Sequence, residues 1–228
     1  MIRQHLIFDA DDTLWENNIY FEAAFDYFCG YLEHSSMSPE EIRAVLDDIE
    51  IANAKIHGYG SRNFARNLAA CYEKLSQHHV SETDLVTVKD FAHAILEKPV
   101  ELLAGVAETV AELSSKHELT IFTKGDVYEQ RIKIERSGLV EHFMHAAIVK
   151  EKNEAAYRVL AEERKFHPDR TWMIGNSPKS DINPALAAGL KAVYIPHPRT
   201  WSLEHEPVPD AHPRLLRVDK IAELTAHF

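Results

Sequence analysis

The sequence predicts an α/β fold, a Rossmann-like parallel sheet with helices on both faces, into which an all-helical segment is inserted. Three observations lead to this prediction. A short apolar strand at Leu6–Phe8 comes first, residues 16–98 then show helical periodicity, and from Pro99 onward short apolar strands alternate with helices. Such alternation is typical of parallel sheets, because parallel neighbours need a crossover that is usually a helix. We therefore expect an α/β core domain over 1–15 and 99–228, and a helical domain over 16–98.

The helical segment has the pattern of a small bundle of about four helices. Its apolar periodicity is interrupted at 34–39, 58–61 and 78–81, where polar residues, glycine or proline cluster. Ser38 and Ser81 are suited to begin helices, because a serine hydroxyl can accept a hydrogen bond from a backbone N–H of the first turn.

The part of the chain after Pro99 predicts four further strands, each separated from the next by a helix. The strands are expected at 119–122, 146–149, 171–174 and 192–195, and the helices at 106–116, 126–137, 154–165 and 182–188. The tail from Pro196 is rich in proline and polar residues, so we expect an irregular segment that lies along the surface.

Charge and composition exclude several classes of protein. The chain has 25 Lys and Arg residues and 36 Asp and Glu residues, and the resulting net charge of -11 repels nucleic acids and anionic membranes. A phosphate group must therefore be bound by the residues of a local site, because the overall charge of the chain does not attract it. The apolar runs fall short of the roughly 18 residues of a membrane span, and the N-terminus lacks a signal-length apolar stretch. Cys29 and Cys71 are expected to be reduced, buried thiols, which favours the cytoplasm.

Polar side chains follow three of the predicted strands at the point where each strand ends. The acidic stretch 9–13 follows the first strand, 123–126 follows the second, and 175–181 follows the fourth. The carboxyl ends of parallel strands meet at one edge of a sheet, so these groups should converge, and a lysine within 149–153 can approach them. Carboxylates so near one another repel unless a lysine and a divalent cation neutralise their charge. The arrangement therefore indicates an oxygen-coordinated metal such as Mg²⁺.

This set of motifs resembles the haloacid dehalogenase (HAD) superfamily over essentially the whole chain. The superfamily has a strand ending in DxDxT, a strand ending in Ser or Thr, a lysine, and an acidic GDxxxxD-like loop. The helical segment resembles the C1-type cap of that superfamily, which closes over the site to exclude water and select the substrate. The matching residues are Asp9, Asp11 and Thr13 for the first motif, Thr123 for the second, Lys152 or Lys150 for the third, and Gly175 to Asp181 for the fourth.

The chemistry that such a site needs can be assigned to individual residues. A carboxylate attacks phosphorus only when its charge is masked, and metal-bound Asp9 meets that condition as the nucleophile that forms an aspartyl phosphate. The resemblance implies that Asp11 is the general acid and base and that its backbone carbonyl is a metal ligand. The Thr123 hydroxyl and the backbone N–H groups of Lys124 and Gly125 are expected to bind phosphoryl oxygens, and the lysine offsets transition-state charge.

Two positions depart from the family pattern or leave an ambiguity. Asn176 stands where the fourth motif usually has aspartate, so an amide oxygen replaces an anionic ligand and Asp181 is left to bind the metal directly or through water. The predicted metal ligands are thus Asp9, Asp11, Asn176 and Asp181. Lys150 and Lys152 face opposite ways along an extended segment, and we favour Lys152 because it leads into the next helix as the third motif does.

Three further residues are predicted to contact the substrate. Thr13 belongs to the first motif, Trp15 follows that motif directly, and Arg62 lies in the glycine-rich 58–64 stretch of the helical segment, where it can meet a substrate anion. Trp15 fits a packing role equally well, and Arg62 a surface role. The side chains of Lys124 and Lys179 are expected to be solvated. The histidines lack the spacing of transition-metal ligands, so surface or capping roles are expected for them.

The sequence therefore predicts a Mg²⁺-dependent phosphohydrolase that cleaves a small phosphomonoester. Asp11 favours phosphoryl transfer over dehalogenation, because a halide leaving group needs no proton. One alternative is a phosphomutase with the same four motifs. Another is a catalytically weak module that senses a phosphorylated metabolite, which Asn176 permits. The expected partner is a small phosphorylated metabolite, and the chain is expected to be a monomer or a homodimer.

Overall fold

The computed structural model describes residues 2–32 and 36–228, and the chain divides into two units. Unit 1 comprises Met1–Asn18 and Val100–Phe228, and unit 2 comprises Ile19–Pro99. The elements in chain order are β1 (His5–Phe8), α1 (Asn18–Tyr31), α2 (Pro39–His57), α3 (Ser61–Leu75), α4 (Glu82–His93), α5 (Val106–Ser114), β2 (Glu118–Lys124), α6 (Val127–Arg136), β3 (His145–Val149), α7 (Glu154–Arg164), β4 (Thr171–Gly175), α8 (Asn183–Ala187), β5 (Lys191–Tyr194) and β6 (Leu215–Arg217).

Unit 1 is built on a parallel sheet. Across the described residues the sheet has six strands in the order β3-β2-β1-β4-β5-β6, and every neighbouring pair is parallel. The strand order reverses between β1 and β4, which are hydrogen-bonded neighbours. Doubly wound sheets bind ligands outside the carboxyl ends of the strands at such a switch point. The predicted α/β fold is confirmed, and the switch point marks the region to inspect for a site.

Helices cover both faces of the sheet because side chains alternate along each strand. In β1, Leu6 and Phe8 pack into one hydrophobic cluster, together with Val110 of α5. Ile7 points to the opposite face and packs into a second cluster with Tyr157 of α7. All of these side chains are fully buried. A buried side chain of this size stabilises the fold by about 1.5–3 kcal/mol, so the two clusters hold the central strands in place.

The tail differs from the irregular surface segment predicted from its prolines. It contributes β6 to the sheet edge, and it ends in a 3-10 helix, Ile221–Ala226. Val218, Leu224 and Phe228 are buried in the first hydrophobic cluster. The prediction was wrong because the prolines precede this part of the tail, and the apolar residues after them complete the core.

Unit 2 consists of helices α1 to α4 and a short 3-10 segment, Ala94–Glu97, in its described part. Its core combines residues from all four helices, among them Phe28, Leu46, Leu68 and Val88. Ser38 and Ser81 cap α2 and α4 as predicted, each accepting a hydrogen bond from the backbone N–H three residues later. The first predicted interruption includes His34 and Ser35, which lie outside the described residues.

Cys29 and Cys71 are free thiols in the described part of unit 2, with Cys71 buried and Cys29 half-buried. Burial raises the pKa of the Cys71 thiol to about 12 and that of Cys29 to about 11, so both are protonated near neutral pH. Among the helices of the described residues, none combines the length and the apolar character of a membrane span.

Candidate active site

Asp9 lies at the switch point of the sheet, directly after β1. Its backbone N–H donates to the carbonyl of Ile174 on β4 at 2.9 Å, which extends the strand pairing by one residue. The residue is 7% exposed. The carboxylate predicted to be the nucleophile therefore sits in the crevice where this fold binds ligands.

Lys152 joins Asp9 to Asp181. Its Nζ lies 2.5 Å from Asp9 Oδ1 and 2.6 Å from Asp181 Oδ1, and both Lys152 and Asp181 are buried. Lys150, two residues earlier on the same extended segment, is exposed. Of the two lysines that the sequence left open, Lys152 is the one beside Asp9.

The charges in this group do not cancel. Burial raises the pKa of Asp9, although Lys152 opposes the effect, and burial raises the pKa of Asp181 to about 7. For Lys152, burial alone would lower the pKa, but Asp181 and Asp9 together raise it above its ordinary value. Two buried carboxylates thus share one ammonium group. The remaining negative charge and the free lone pairs fit a hard cation.

Thr13 connects Asp9 to Asn176. Thr13 Oγ1 lies 3.1 Å from Asp9 Oδ2 and 3.1 Å from Asn176 Oδ1, and its single proton can serve one of them at a time. Asn176 Nδ2 donates to Thr200 Oγ1 at 2.9 Å, and Thr200 Oγ1 donates to the carbonyl of His197. Because the hydroxyl proton of Thr200 is donated to the carbonyl of His197, Thr200 can only accept a hydrogen bond from residue 176. The amide of Asn176 supplies an N–H donor for this bond, and an ionised carboxylate would not.

The loop that contains Asp181 also fixes the orientation of its side chain. The backbone N–H of Ser177 donates to Asp181 Oδ2 at 2.9 Å, and a π-helical turn, Pro178–Ile182, carries the aspartate into the site. Residue 182, and not Asp181, stands at the N-cap of α8, and Asp181 contacts Lys152.

Glu204, in the tail, is a buried acid that was not predicted from the sequence. Its Oε1 lies 2.6 Å from Lys124 Nζ, and its Oε2 accepts a hydrogen bond from Ser177 Oγ at 2.6 Å. Burial by itself raises the pKa of Glu204, but Lys124 and Ser177 lower it below its ordinary value. The Lys124 side chain is therefore ion-paired and only 11% exposed, so the prediction that it is solvated was wrong. Lys179 is exposed as expected, and it donates to the carbonyl of Leu203.

Asp11 is surrounded by hydrogen-bond donors from unit 1. Lys133 Nζ lies 2.6 Å from both carboxylate oxygens, and Gln130 Nε2 lies 2.8 Å from Oδ2. Neither Lys133 nor Gln130 was predicted from the sequence as a site residue. A signal exists, because Asp126, Gln130 and Lys133 recur at i, i+4 and i+7 and so share one face of the helix that follows the second motif.

Two predicted substrate-binding residues have other roles in the structure. Trp15 is fully buried in the core, and its Nε1 donates to Asp11 Oδ1 at 2.8 Å. The ring of Trp15 therefore has the packing role that the sequence also allowed, and the prediction that it faces the substrate was wrong. The backbone N–H of Gly125 donates to the carbonyl of Val149 at 3.1 Å, so it is already used within the sheet edge. This bond contradicts the prediction that the N–H of Gly125 holds a phosphoryl oxygen.

The remaining predicted residues lie as follows. Thr123 is buried at the end of β2, the strand next to β1, so its place in the sheet agrees with the second motif. Arg62 belongs to unit 2, where it occupies the first turn of α3 and is exposed. The roles of Thr123 and Arg62 toward a substrate stay predictions.

A second group of possible metal ligands lies near the end of the first motif. In the part of the chain that the structure describes, Asp12, Glu16 and His197 each offer one ligand atom, and these atoms lie within 4.8 Å of one another. Asp12, however, accepts hydrogen bonds from the backbone N–H groups of Asn17 and Asn18 at the start of α1. Burial raises the pKa of Asp12 to about 7.

The comparison with known families agrees with this geometry. The family model described as haloacid dehalogenase-like hydrolase matches residues 6–195. The chain belongs to this family. It is accordingly a hydrolase with the HAD fold. A comparison with curated protein sequences gave no significant match.

Solved structures resemble the chain over nearly its whole length. A haloacid dehalogenase-like family hydrolase from Xanthomonas campestris is 30% identical, with a TM-score of 0.86 over 99% of this chain and 90% of the other. The putative HAD-hydrolase YfnB from Bacillus subtilis, solved with bound magnesium, is 19% identical, with a TM-score of 0.68 over 100% of this chain and 99% of the other. Similar folds also occur in a predicted phosphoglycolate phosphatase from Haemophilus somnus, with 15% identity and a TM-score of 0.68 over 99% of this chain and 97% of the other, and in haloacid dehalogenases.

Proposed function

We propose that this HAD hydrolase is a Mg²⁺-dependent phosphatase that cleaves a small phosphomonoester through an aspartyl phosphate on Asp9. The observation that carries the proposal is the pair of carboxylates after β1. Asp9 lies beside Lys152, and Asp11, two residues later, is a second carboxyl group able to exchange a proton. Dehalogenation needs no such group, because a halide leaves without a proton. The family contains both kinds of enzyme, and Asp11 favours the phosphatase.

The first half of the proposed reaction forms the covalent intermediate. A carboxylate oxygen of Asp9 attacks phosphorus, the bond from phosphorus to the ester oxygen breaks, and its electron pair stays on that oxygen. Asp11 gives its proton to the same oxygen, so that an alcohol leaves. Lys152 stays beside Asp9 and offsets negative charge as the phosphoryl group approaches. The Thr123 hydroxyl is assigned to the phosphoryl oxygens.

The second half releases phosphate. A water molecule attacks phosphorus, Asp11 takes a proton from that water, and the bond between phosphorus and Asp9 breaks with its electrons returning to the carboxylate. The overall change is the addition of water to the ester, giving an alcohol and inorganic phosphate. Asp11 and Asp9 each end the cycle in the protonation state in which they began it.

The oxygen ligands of the site support the choice of Mg²⁺. Asp9, Asn176 and Asp181 offer carboxylate and amide oxygens, together with the backbone carbonyl of Asp11, and the buried pair of acids exceeds the charge of Lys152. When bound, the cation masks the charge of the nucleophile and of the phosphoryl group. Asn176 makes the ligand set less anionic than the family pattern, which keeps a weak phosphometabolite-binding module as the competing proposal.

Unit 2 is assigned the role of the C1-type cap that selects the substrate, with Arg62 as a residue for a substrate anion. The proposed partner is a small phosphorylated metabolite. The proposed compartment is the cytoplasm, which the free thiols in the described chain support.

The test is hydrolysis of an aryl phosphate by the wild type with Mg²⁺, the wild type with EDTA, and Asp9→Asn with Mg²⁺. Asp219→Asn is the matched control, because Asp219 is an exposed aspartate of the same unit. We expect turnover that needs the metal, is unchanged in Asp219→Asn and falls at least about 1,000-fold in Asp9→Asn. Chloride release from a 2-haloacid is measured in parallel. Chloride release without phosphate release, or equal turnover in Asp9→Asn, contradicts the proposal; phosphate binding without turnover favours the sensor.

A further inference from the structure

The carboxyl group of Asp11 is held on both oxygens. Lys133 Nζ lies 2.6 Å from Oδ1 and 2.6 Å from Oδ2. Trp15 Nε1 adds a hydrogen bond to Oδ1, and Gln130 Nε2 adds one to Oδ2, both at 2.8 Å. An aspartate with free torsions can point its oxygens in several directions. These contacts leave it a single orientation.

Two of the three donors come from one helix, and that helix is itself firmly placed. Asp126 caps α6 by accepting hydrogen bonds from the backbone N–H groups of Tyr128 and Glu129. Ile134, next to Lys133, is buried in the core of unit 1. Lys133 and Gln130 are therefore carried on a rigid element rather than on a loop, as precise positioning requires.

Gly125 makes room for this arrangement. Its φ of 152° lies in the region that favours glycine, and a Cβ atom there would lie 2.8 Å from Gln130 Nε2 and 3.1 Å from Gln130 Cγ. Gln130 Nε2 also donates to the carbonyl of Lys124 at 3.1 Å. Gln130 thus connects Asp11 to the end of β2. The absence of a side chain at Gly125 leaves the space that the Gln130 side chain occupies.

We propose that Lys133 and Gln130 are positioning residues that orient Asp11 for proton transfer to the leaving oxygen. This inference rests on the proposed phosphatase function. The proton of Asp11 moves to the ester oxygen as the phosphorus–oxygen bond breaks, and this transfer needs the carboxyl group within hydrogen-bond reach of that oxygen. Lys133 is the charged member of the pair, so its loss should loosen Asp11 most.

The experiment uses leaving groups of different basicity. A nitrophenyl phosphate releases a stable phenolate that needs little protonation, whereas a simple alkyl phosphate releases an alkoxide that needs a proton. We expect Lys133→Met to lower kcat/KM for the alkyl phosphate about 10- to 100-fold and for the aryl phosphate by no more than about 3-fold. Lys133→Arg, which keeps a donor, should recover part of the alkyl activity. Arg131→Met is the matched control, because Arg131 is an exposed cation on the same helix.

Each outcome separates this inference from the function on which it rests. Equal losses on both substrates in a folded Lys133→Met protein, or no recovery in Lys133→Arg, overturn the positioning role. Absence of phosphatase turnover in the wild type overturns the proposed function first. If thermal unfolding shows that Lys133→Met does not fold, Gln130→Met takes its place in the same comparison, and a loss confined to the alkyl phosphate is again the expected result.

Discussion

Gly175 and Asp181 can occupy their positions only because residue 175 has no side chain. A Cβ atom on Gly175 would lie 2.5 Å from Asp181 Cγ and 2.8 Å from Asp181 Cβ. Asp181 cannot retreat, because Lys152 and the backbone N–H of Ser177 hold its two carboxylate oxygens. The glycine at the end of β4 is thus part of the construction of the charged site.

This contact predicts the effect of Gly175→Ala. The added methyl group must displace a fully buried aspartate, so we expect the free energy of unfolding to fall by about 2–3 kcal/mol. Urea denaturation measures the change. Gly30→Ala is the control, because Gly30 lies inside α1, where alanine is favoured and should add about 0.5–1 kcal/mol. A Gly175→Ala protein as stable as the wild type would show that Asp181 is not held as described.

The two neighbouring lysines predict a sharp contrast in stability. Lys152→Met leaves Asp9 and Asp181 buried without their shared cation, which should cost about 3 kcal/mol or more. Lys150→Met removes an exposed charge and should change stability by less than about 0.5 kcal/mol. Chemical denaturation of both variants, without added metal, measures the difference. Equal effects of the two substitutions would argue against the buried ion-pair network.

Asn176→Asp restores the acid that the family pattern usually has. The new carboxylate would lie beside Thr13, close to Asp9, and could not donate to Thr200. Without metal we expect a loss of about 2 kcal/mol in the free energy of unfolding, and with saturating Mg²⁺ we expect a larger gain in stability than the wild type shows. Thermal unfolding with and without Mg²⁺ gives both quantities.

Thr200→Val is the control for Asn176→Asp. It removes the hydrogen-bond partner of the amide without adding charge, so it should cost about 1 kcal/mol and leave the increment from Mg²⁺ unchanged. If Asn176→Asp shows the same increment as the wild type, position 176 does not contribute to a cation site.

His117 predicts a dependence of stability on pH that is separate from the active site. Burial lowers the pKa of His117 in the folded protein, and its Nδ1 accepts a hydrogen bond from the backbone N–H of Gln4. The unfolded chain therefore binds a proton at a pH where the folded chain does not. The contribution of His117 to stability is complete above the ordinary value of about 6.5 and declines as the pH falls below it.

His117→Gln should remove this part of the pH dependence. We expect the difference in free energy of unfolding between about pH 7.5 and about pH 5.5 to be smaller in His117→Gln than in the wild type. The exposed His79 supplies the control substitution His79→Gln, which should keep the slope of the wild type. Parallel slopes for all three proteins would mean that His117 titrates alike in both states.

Local pattern was enough to predict several parts of this molecule. The alternation of apolar strands and helices identified the sheet, and the acids after β1 and β4 were correctly expected at one edge of it. Ser38 and Ser81 were recognised as helix starts from their immediate neighbours. These features depend on residues that are close in sequence or on a general property of parallel sheets.

Contacts between distant parts of the chain decided the rest. Lys133 contacts Asp11 across 122 positions, and Glu204 contacts Lys124 across 80. Helical spacing places Gln130 and Lys133 on one face of α6, but it does not show which distant residue they contact.

The sequence by itself thus determined the architecture and the set of chemical groups at the sheet edge, because periodicity and strand ends are local properties. The tertiary structure alone decided which lysine is buried, how Asp11 is oriented and that Trp15 and the tail complete the core, because burial and partner choice depend on which distant elements pack together.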